Sequence, residues 1–274
     1  MTTVVTSFFG LILKAADQKG HNSIAVGSLN YSSGAIFSSI LLLTDSGWEW
    51  HWNTVLIGSI SGVFYFVAFC FLIRTLLQGG VAITLAIVRL SVVIPILFSI
   101  VIWHEIPNSL QILGIVTVCF ALPFLSLGLG RQASQPVRGV LWILVALFIT
   151  TGFCHLSPKV FSELAPQSQM SLYLFSLFVV SGVMGLVFIW TKSIQISFYD
   201  VQWSGLLGAI NVAGTWLLVV TLKVLPGTIV FPFVSAGGLA FTTIVAILYW
   251  KEDVRVLSYI GIGLTLIAVV LVNS

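Results

Sequence analysis

The 274-residue chain is 58% hydrophobic and only 7% charged, with a formal net charge of +3. Soluble domains carry about 25% charged residues, so this composition excludes a water-exposed fold and calls for lipid as the surrounding medium. The charge is small and dispersed, with no Lys/Arg run, which excludes a nucleic-acid surface. The cysteines Cys70, Cys119 and Cys154 sit in apolar runs without disulfide or metal-ligand spacing, so they read as small hydrophobes.

A bilayer core needs about 20 apolar residues per helix. In chain order, the apolar runs predict spans at 3–17, 23–43, 54–77, 79–103, 108–128, 138–157, 168–190, 201–223, 226–249 and 256–273. No basic n-region or small-residue cleavage site precedes the first run, which is expected to be a retained helix. Trp48, Trp50, Trp52, Trp103, Trp190, Trp203 and Trp250 fall at or near span ends, where indole rings anchor at the interface. The connections are short. The longest breaks, 44–53, 129–137 and 158–167, are too short to fold alone. All chemistry is therefore expected within the membrane or at its surfaces.

Sliding 54–121 onto 201–268 without a gap aligns Gly58 with Gly205, Gly80 with Gly227, Trp103 with Trp250, Glu105 with Glu252 and Gly114 with Gly261. Earlier, Phe8, Leu11 and Lys14 align with Phe153, Leu156 and Lys159. The weight comes from rare types, Trp and Glu, falling in register with glycines. The chain thus divides into two five-helix repeats, 1–130 and 138–274. Five crossings leave the chain on the opposite face, so the second repeat is expected to insert inverted. The expected fold class is an all-α membrane protein of ten transmembrane helices in two inverted repeats, an architecture suited to alternating access.

A span closing on Glu, with Gly nine residues later, in both halves of such a chain, resembles the drug/metabolite transporter superfamily, EamA type. Glu105 with Gly114 and Glu252 with Gly261 carry the resemblance, and Lys14 and Leu29-Asn30-Tyr31 are similar to the first two helices of some bacterial members. The resemblance implies a carrier of amino acids, metabolites, nucleotide sugars or drugs in a bacterial inner membrane. It also implies a cavity lined by helices one to four and six to nine.

Among single residues Arg89 is the sharpest signal, since it lies near the centre of span 79–103. An Arg at mid-bilayer costs about 2.5–3.5 kcal/mol and must face the protein interior, water or a partner. It is a candidate for recognising a carboxylate or phosphate, or for bonding backbone carbonyls of a neighbouring helix. Asn30, Tyr31, Tyr65, Asn211, Thr215 and Ser235 are polar groups within spans. They either line a substrate cavity or join helices by hydrogen bonds. Pro95 and Pro232 remove backbone donors from spans four and nine; such kinks suit gating and are also ordinary in membrane helices. Lys14 and Lys159 are kept in both repeats and either act in coupling or snorkel to the interface. His155, one turn before Lys159, is a candidate proton carrier or a satisfied core residue.

Every acidic residue is expected at a span end or in a loop, which argues against proton-for-cation exchange on a buried carboxylate. Trp103-x-Glu105 and Trp250-x-Glu252, with Gly114 and Gly261, read as structural corners. Each Glu is expected beside the N-terminus of the helix that follows it. Gly58-x3-Gly62 and Gly205-x3-Ala209 are expected to pack within the bundle, a dimer contact being the alternative.

The expected function is secondary-type transport of a small polar, anionic or zwitterionic metabolite such as an amino acid. No metal, cofactor or nucleic acid is expected, and a homodimer is left open. No nucleotide-binding, serine-hydrolase or zinc-protease motif occurs. An intramembrane enzyme and a non-transporting scaffold are the alternatives.

Overall fold

The computed structural model describes residues 21–79, 81–128, 141–249 and 256–272, together with Thr2, Thr3, Val5, Phe8, Ile12, Ala15, Ala16 and Lys19. Lys14, Trp250 and Glu252 lie outside the described residues. All regular structure among the described residues is helical. The helices are α1 Ser23–Thr44, α2 Trp52–Gly79, α3 Val81–Leu90, α4 Val93–Val101, α5 Ser109–Gly128, α6 Leu141–Leu164, α7 Met170–Thr191, α8 Phe198–Val224, α9 Gly227–Tyr249 and α10 Val256–Val272.

Six helical stretches among the described residues are long and apolar enough to cross a bilayer: Ser23–Thr44, Trp52–Leu76, Leu141–Leu164, Gln167–Thr191, Phe198–Val224 and Gly227–Val245. Shorter apolar stretches are Ala86–Val101, Ser109–Ala121 and Tyr259–Ala268. The chain is an integral membrane protein.

Local chemistry sets the helix ends. The Asn22 side chain accepts from the Ile24 and Ala25 N–H groups and starts α1. Asn108 and Gln111 form a reciprocal capping box at α5, with bonds of 2.8 and 2.9 Å. Ser197 and Asp200 do the same at α8. Within the helices Ser61, Thr75, Ser176, Ser181 and Thr243 donate to the carbonyl four residues back. Their hydroxyls are thereby satisfied without water.

Two expected boundaries are corrected. The span 79–103 is interrupted at Ser91–Val92 instead of running through. Pro95 has no N–H to give the Ser91 carbonyl, and its ring crowds that carbonyl. Ile94 donates to Ser91 instead, at 3.1 Å, so the chain makes a tight turn there. Pro95 falls in the first turn of α4, where a missing donor costs no intrahelical bond. The break expected at 158–167 is also largely absent, because α6 continues through Pro158 to Leu164. The turn after Pro158 is held by a Lys159–Glu163 ion pair at 2.5 Å and by Ser162 Oγ donating to the Lys159 carbonyl at 2.8 Å. Glu163 is therefore a helix residue, not a loop residue.

The chain groups into two compact units, Met1–Phe69 with Ser157–Lys223, and Cys70–Leu156 with Val224–Ser274. Each draws on both expected repeats, and α2 and α6 contribute to both units. In the first, α1 packs along α7. A Cβ on Gly62 would run into the Leu177 carbonyl oxygen, and one on Gly58 would lie 2.8 Å from the Tyr173 carbonyl oxygen. The Gly58-x3-Gly62 pair thus packs within the bundle, against α7. A Cβ on Gly208 would lie 2.7 Å from both the Asn30 carbonyl oxygen and the Gly34 nitrogen, so α8 approaches α1 backbone to backbone. At Gly205 a Cβ would meet nothing within 4 Å. In the second unit α5, α9 and α10 pack on one another, α3 lies on α5, and α9 on α4.

This difference between two glycines of one helix is testable. Gly208→Ala should destabilise by about 1–3 kcal/mol, since backbone cannot yield as a side chain can. Gly205→Ala should be neutral or slightly stabilising, because Ala is the better helix former. Thermal unfolding in detergent reads both.

Candidate functional site

In the first unit the sequence-predicted polar residues meet. Asn30 is fully buried. It lies on α1, and its Oδ1 accepts from Asn211 Nδ2 of α8 at 3.0 Å. The Asn30 Nδ2 donates to the Gly27 carbonyl at 2.8 Å. Thr215 Oγ1 donates to the Asn211 carbonyl at 2.9 Å. Tyr31 OH donates to the Tyr65 carbonyl at 3.3 Å, and the Tyr31 ring lies edge-on to Phe69. These bonds tie α1 to α8 and α2. The close approach at Gly208 is what brings the two asparagines within reach.

At the end of α6 the structure adds a cluster that the sequence reading did not assemble. Lys159 is fully buried, with only 1% of its surface exposed. Its partner Glu163 is about one-third exposed. Phe161 stacks on Tyr173 at 4.4 Å, and Tyr173 OH shares a hydrogen bond with Ser157. Lys223 Nζ donates to the Ala165 carbonyl at 2.8 Å and lies over the Phe161 ring. Simple snorkelling does not describe Lys159, whose ammonium stays inside.

An open cleft of about 310 Å³ lies at the C-terminal end of α1, lined by Leu41, Asp45, Gln167, Met170, Leu174 and Trp216 among others. Asp45 Oδ2 accepts from Ser171 Oγ at 2.6 Å, and its Oδ1 accepts from the Gly47 N–H. No basic side chain among the described residues pairs with Asp45. Thr54 Oγ1 donates to Gln169 Oε1.

The second unit holds Arg89, His155, Ser235, Pro95 and Pro232, together with Trp103, Glu105, Gly114 and Gly261. Arg89 sits in the last turn of α3, directly before the break. A helix C-terminus favours a cation there. Its Nε is buried and has no hydrogen-bond acceptor among the described residues. The segment α6 packs along the break. Gly152 admits the Ile94 side chain, Phe153 meets the Phe98 ring at 6.1 Å, and His155 lies within electrostatic reach of Arg89. Ser235 is buried on α9, and Pro232 is buried inside that helix.

The Glu105 corner is corrected. Glu105 Oε2 accepts from the Thr228 N–H, at 3.2 Å, at the start of α9. The first turn of α5 has Asn108 and Gln111 as its own capping pair. His104 takes a positive φ of 53° at the bend, and the Glu105 N–H donates to the Ser99 carbonyl. Trp103 is half-buried, and Gly114 and Gly261 are buried in α5 and α10. The spacing Asn108-x-x-Gln111 was readable as a capping box; the partner of Glu105 was not, because it lies 123 residues away.

Residues 1–127 match the EamA-like transporter family. That match covers somewhat less than half of the chain and is a similarity of its first part to that family. The quaternary ammonium compound-resistance protein QacG of Staphylococcus sp. (strain ST94) is 41% identical over 58 residues, 21% of this chain and 54% of that protein. The match therefore spans about half the length of that curated relative. A solved protein crystal structure superimposes with a TM-score of 0.74 over 98% of this chain and 93% of its own, at 13% identity. That likeness concerns the fold alone.

The asparagine pair yields a prediction. Asn211→Leu should destabilise by about 0.6–1.7 kcal/mol, the range for polar contacts between membrane helices. Adding Asn30→Leu should recover part of that loss, since no buried amide is then left without its partner. A double-mutant cycle of unfolding in detergent measures the coupling.

Proposed function

We propose that the chain is a secondary-type transporter of a small polar metabolite with an anionic or zwitterionic group, such as an amino acid. It works by alternating access between two inverted five-helix repeats, 1–130 and 138–274, in a bacterial inner membrane. The EamA match covers 1–127, the extent of one such repeat.

The observation that carries the substrate class is Arg89. Its Nε is buried without an acceptor, on a helix that breaks two residues later. A purely structural Arg would be expected to spend its donors on backbone carbonyls, because each unmet donor in lipid is costly. A carboxylate or phosphate would fill that vacancy by a charge-assisted bond. The break adds to this: α3 ends, and α4 begins, around one point in the middle of an apolar stretch. Half-helix ends of that kind suit ionic solutes. Ser235, in the same unit as Arg89, supplies further hydrogen-bonding capacity, and Asn30, Tyr31, Tyr65, Asn211 and Thr215 are the polar candidates within the first unit. The Lys159–Glu163 pair and the prolines Pro95 and Pro232 serve gating or coupling.

A second reading is favoured by one observation. The Asp45 cleft combines a carboxylate with no basic partner among the described residues with Trp216, Met170 and Leu174, a lining that suits an organic cation. QacG is by its name a quaternary ammonium resistance protein. On this reading Asp45, not Arg89, holds the solute.

Uptake into liposomes of radiolabelled amino acids, organic acids and tetraethylammonium separates the two. Arg89→Ala should lower uptake of the anionic or zwitterionic solute about tenfold or more, the equivalent of a lost charge-assisted hydrogen bond. Arg89→Lys should restore part of it, lacking the planar fork. If Arg89→Ala leaves uptake and affinity intact, the role given to Arg89 is lost. Tetraethylammonium uptake abolished by Asp45→Asn would favour the second reading.

A further inference from the structure

A second cleft, of about 570 Å³, lies at the opposite end of α1 from the Asp45 cleft, where Lys19 and His21 meet the first turns of α8. It is lined by Lys19, His21, Tyr199, Gln202, Trp203 and Leu206. Gln202 and Trp203 lie three and four residues after Tyr199, and Leu206 lies four and three residues after them, so the four share one face of α8.

The stripe changes character along its length. It begins with exposed Tyr199 and Gln202, passes the indole of Trp203 and ends on Leu206, which is 50% exposed. Phe198 and Val201 beside it are also exposed. Polar and aromatic groups thus lie at the helix start, and bare apolar surface lies deeper.

Lys19 is held in place. Its ammonium lies 5.1 Å from the Trp203 ring centroid, and Trp203 in turn packs on the buried cluster Ile12, Val26 and Leu207. No carboxylate among the described residues pairs with Lys19. The nearby acid, Asp200, is buried and already engaged. It accepts from the Asn22 and Ser197 N–H groups and lies 3.7 Å from His21 Nδ1. The cleft therefore presents a fixed cation, an imidazole beside it, and an apolar exit.

We propose that this cleft seats the phosphate of an anionic phospholipid, with Lys19 and His21 on the headgroup and Leu206 against the acyl chain. A soluble anion would use the same cation but would have no use for the apolar end. Anionic lipid is attracted by juxtamembrane basic residues, and Tyr and Trp favour headgroup depth.

The test uses the purified full chain in detergent, with thermal unfolding and native mass spectrometry in the presence of phosphatidylglycerol, phosphatidylcholine or inorganic phosphate. Phosphatidylglycerol should raise Tm and remain bound, while phosphatidylcholine and phosphate have little effect. Lys19→Gln should weaken phosphatidylglycerol binding about fivefold, the equivalent of one basic residue at an anionic surface. Lys19→Arg should restore it. Gln202→Glu, an exposed change that adds negative charge to the cleft, should weaken it independently. Equal Tm shifts from both lipids, a shift reproduced by inorganic phosphate, or unchanged affinity in Lys19→Gln and Gln202→Glu would overturn the assignment.

Discussion

In hydrocarbon no water completes an unmet hydrogen bond, so every polar group must find its partner inside the protein. Most features of this chain follow from that constraint. Serine and threonine hydroxyls turn back onto their own helices. The Asn30 and Asn211 amides bond one another, and Lys159 is buried only with Glu163 beside it. The Glu105 carboxylate finds a helix start 123 residues away. Against this background a buried polar atom without a partner among the described residues stands out; Arg89 Nε is one, and the Ser28 and Ser99 hydroxyls are others. Only in Arg89 is the unmet donor part of a permanent cation.

Close helix approach makes these bonds possible. Gly208 lets α8 reach the backbone of α1, and without that approach Asn211 would not reach Asn30. Gly58 and Gly62 do the same for α2 on α7. Small residues thus do two jobs in lipid: they gain packing directly, and they bring polar side chains into bonding range. The broken helix at Ser91–Val92 is the opposite device, since it spends helical continuity to place two helix ends beside a charge.

Much of this was legible in the sequence. Composition alone required a membrane, and the apolar runs located most helices to within a few residues. The paired polar residues Asn30 and Asn211 were singled out because polar groups are rare in such runs. What was not legible depended on geometry. Pro95 marked an irregularity, but only the rerouted Ile94 bond reveals that the helix stops. Pro158 looked like a loop, because the Lys159–Glu163 pair that carries α6 onward is a contact at helical spacing. Glu105 was placed at the nearest helix start in sequence, whereas its partner is far along the chain. Compact units that mix segments from both expected repeats could not be seen in a linear alignment.

The central proposal is that Arg89 makes this membrane protein select for a negative group on its solute. Thermal unfolding of the purified protein against matched pairs, each a carboxylate and its uncharged amide, tests it most directly, because a ligand that binds the native state raises Tm. The account predicts that at least one amino acid or organic acid raises Tm while its amide does not, and that Arg89→Ala removes the difference. A Tm raised by tetraethylammonium and by none of the carboxylates would contradict it.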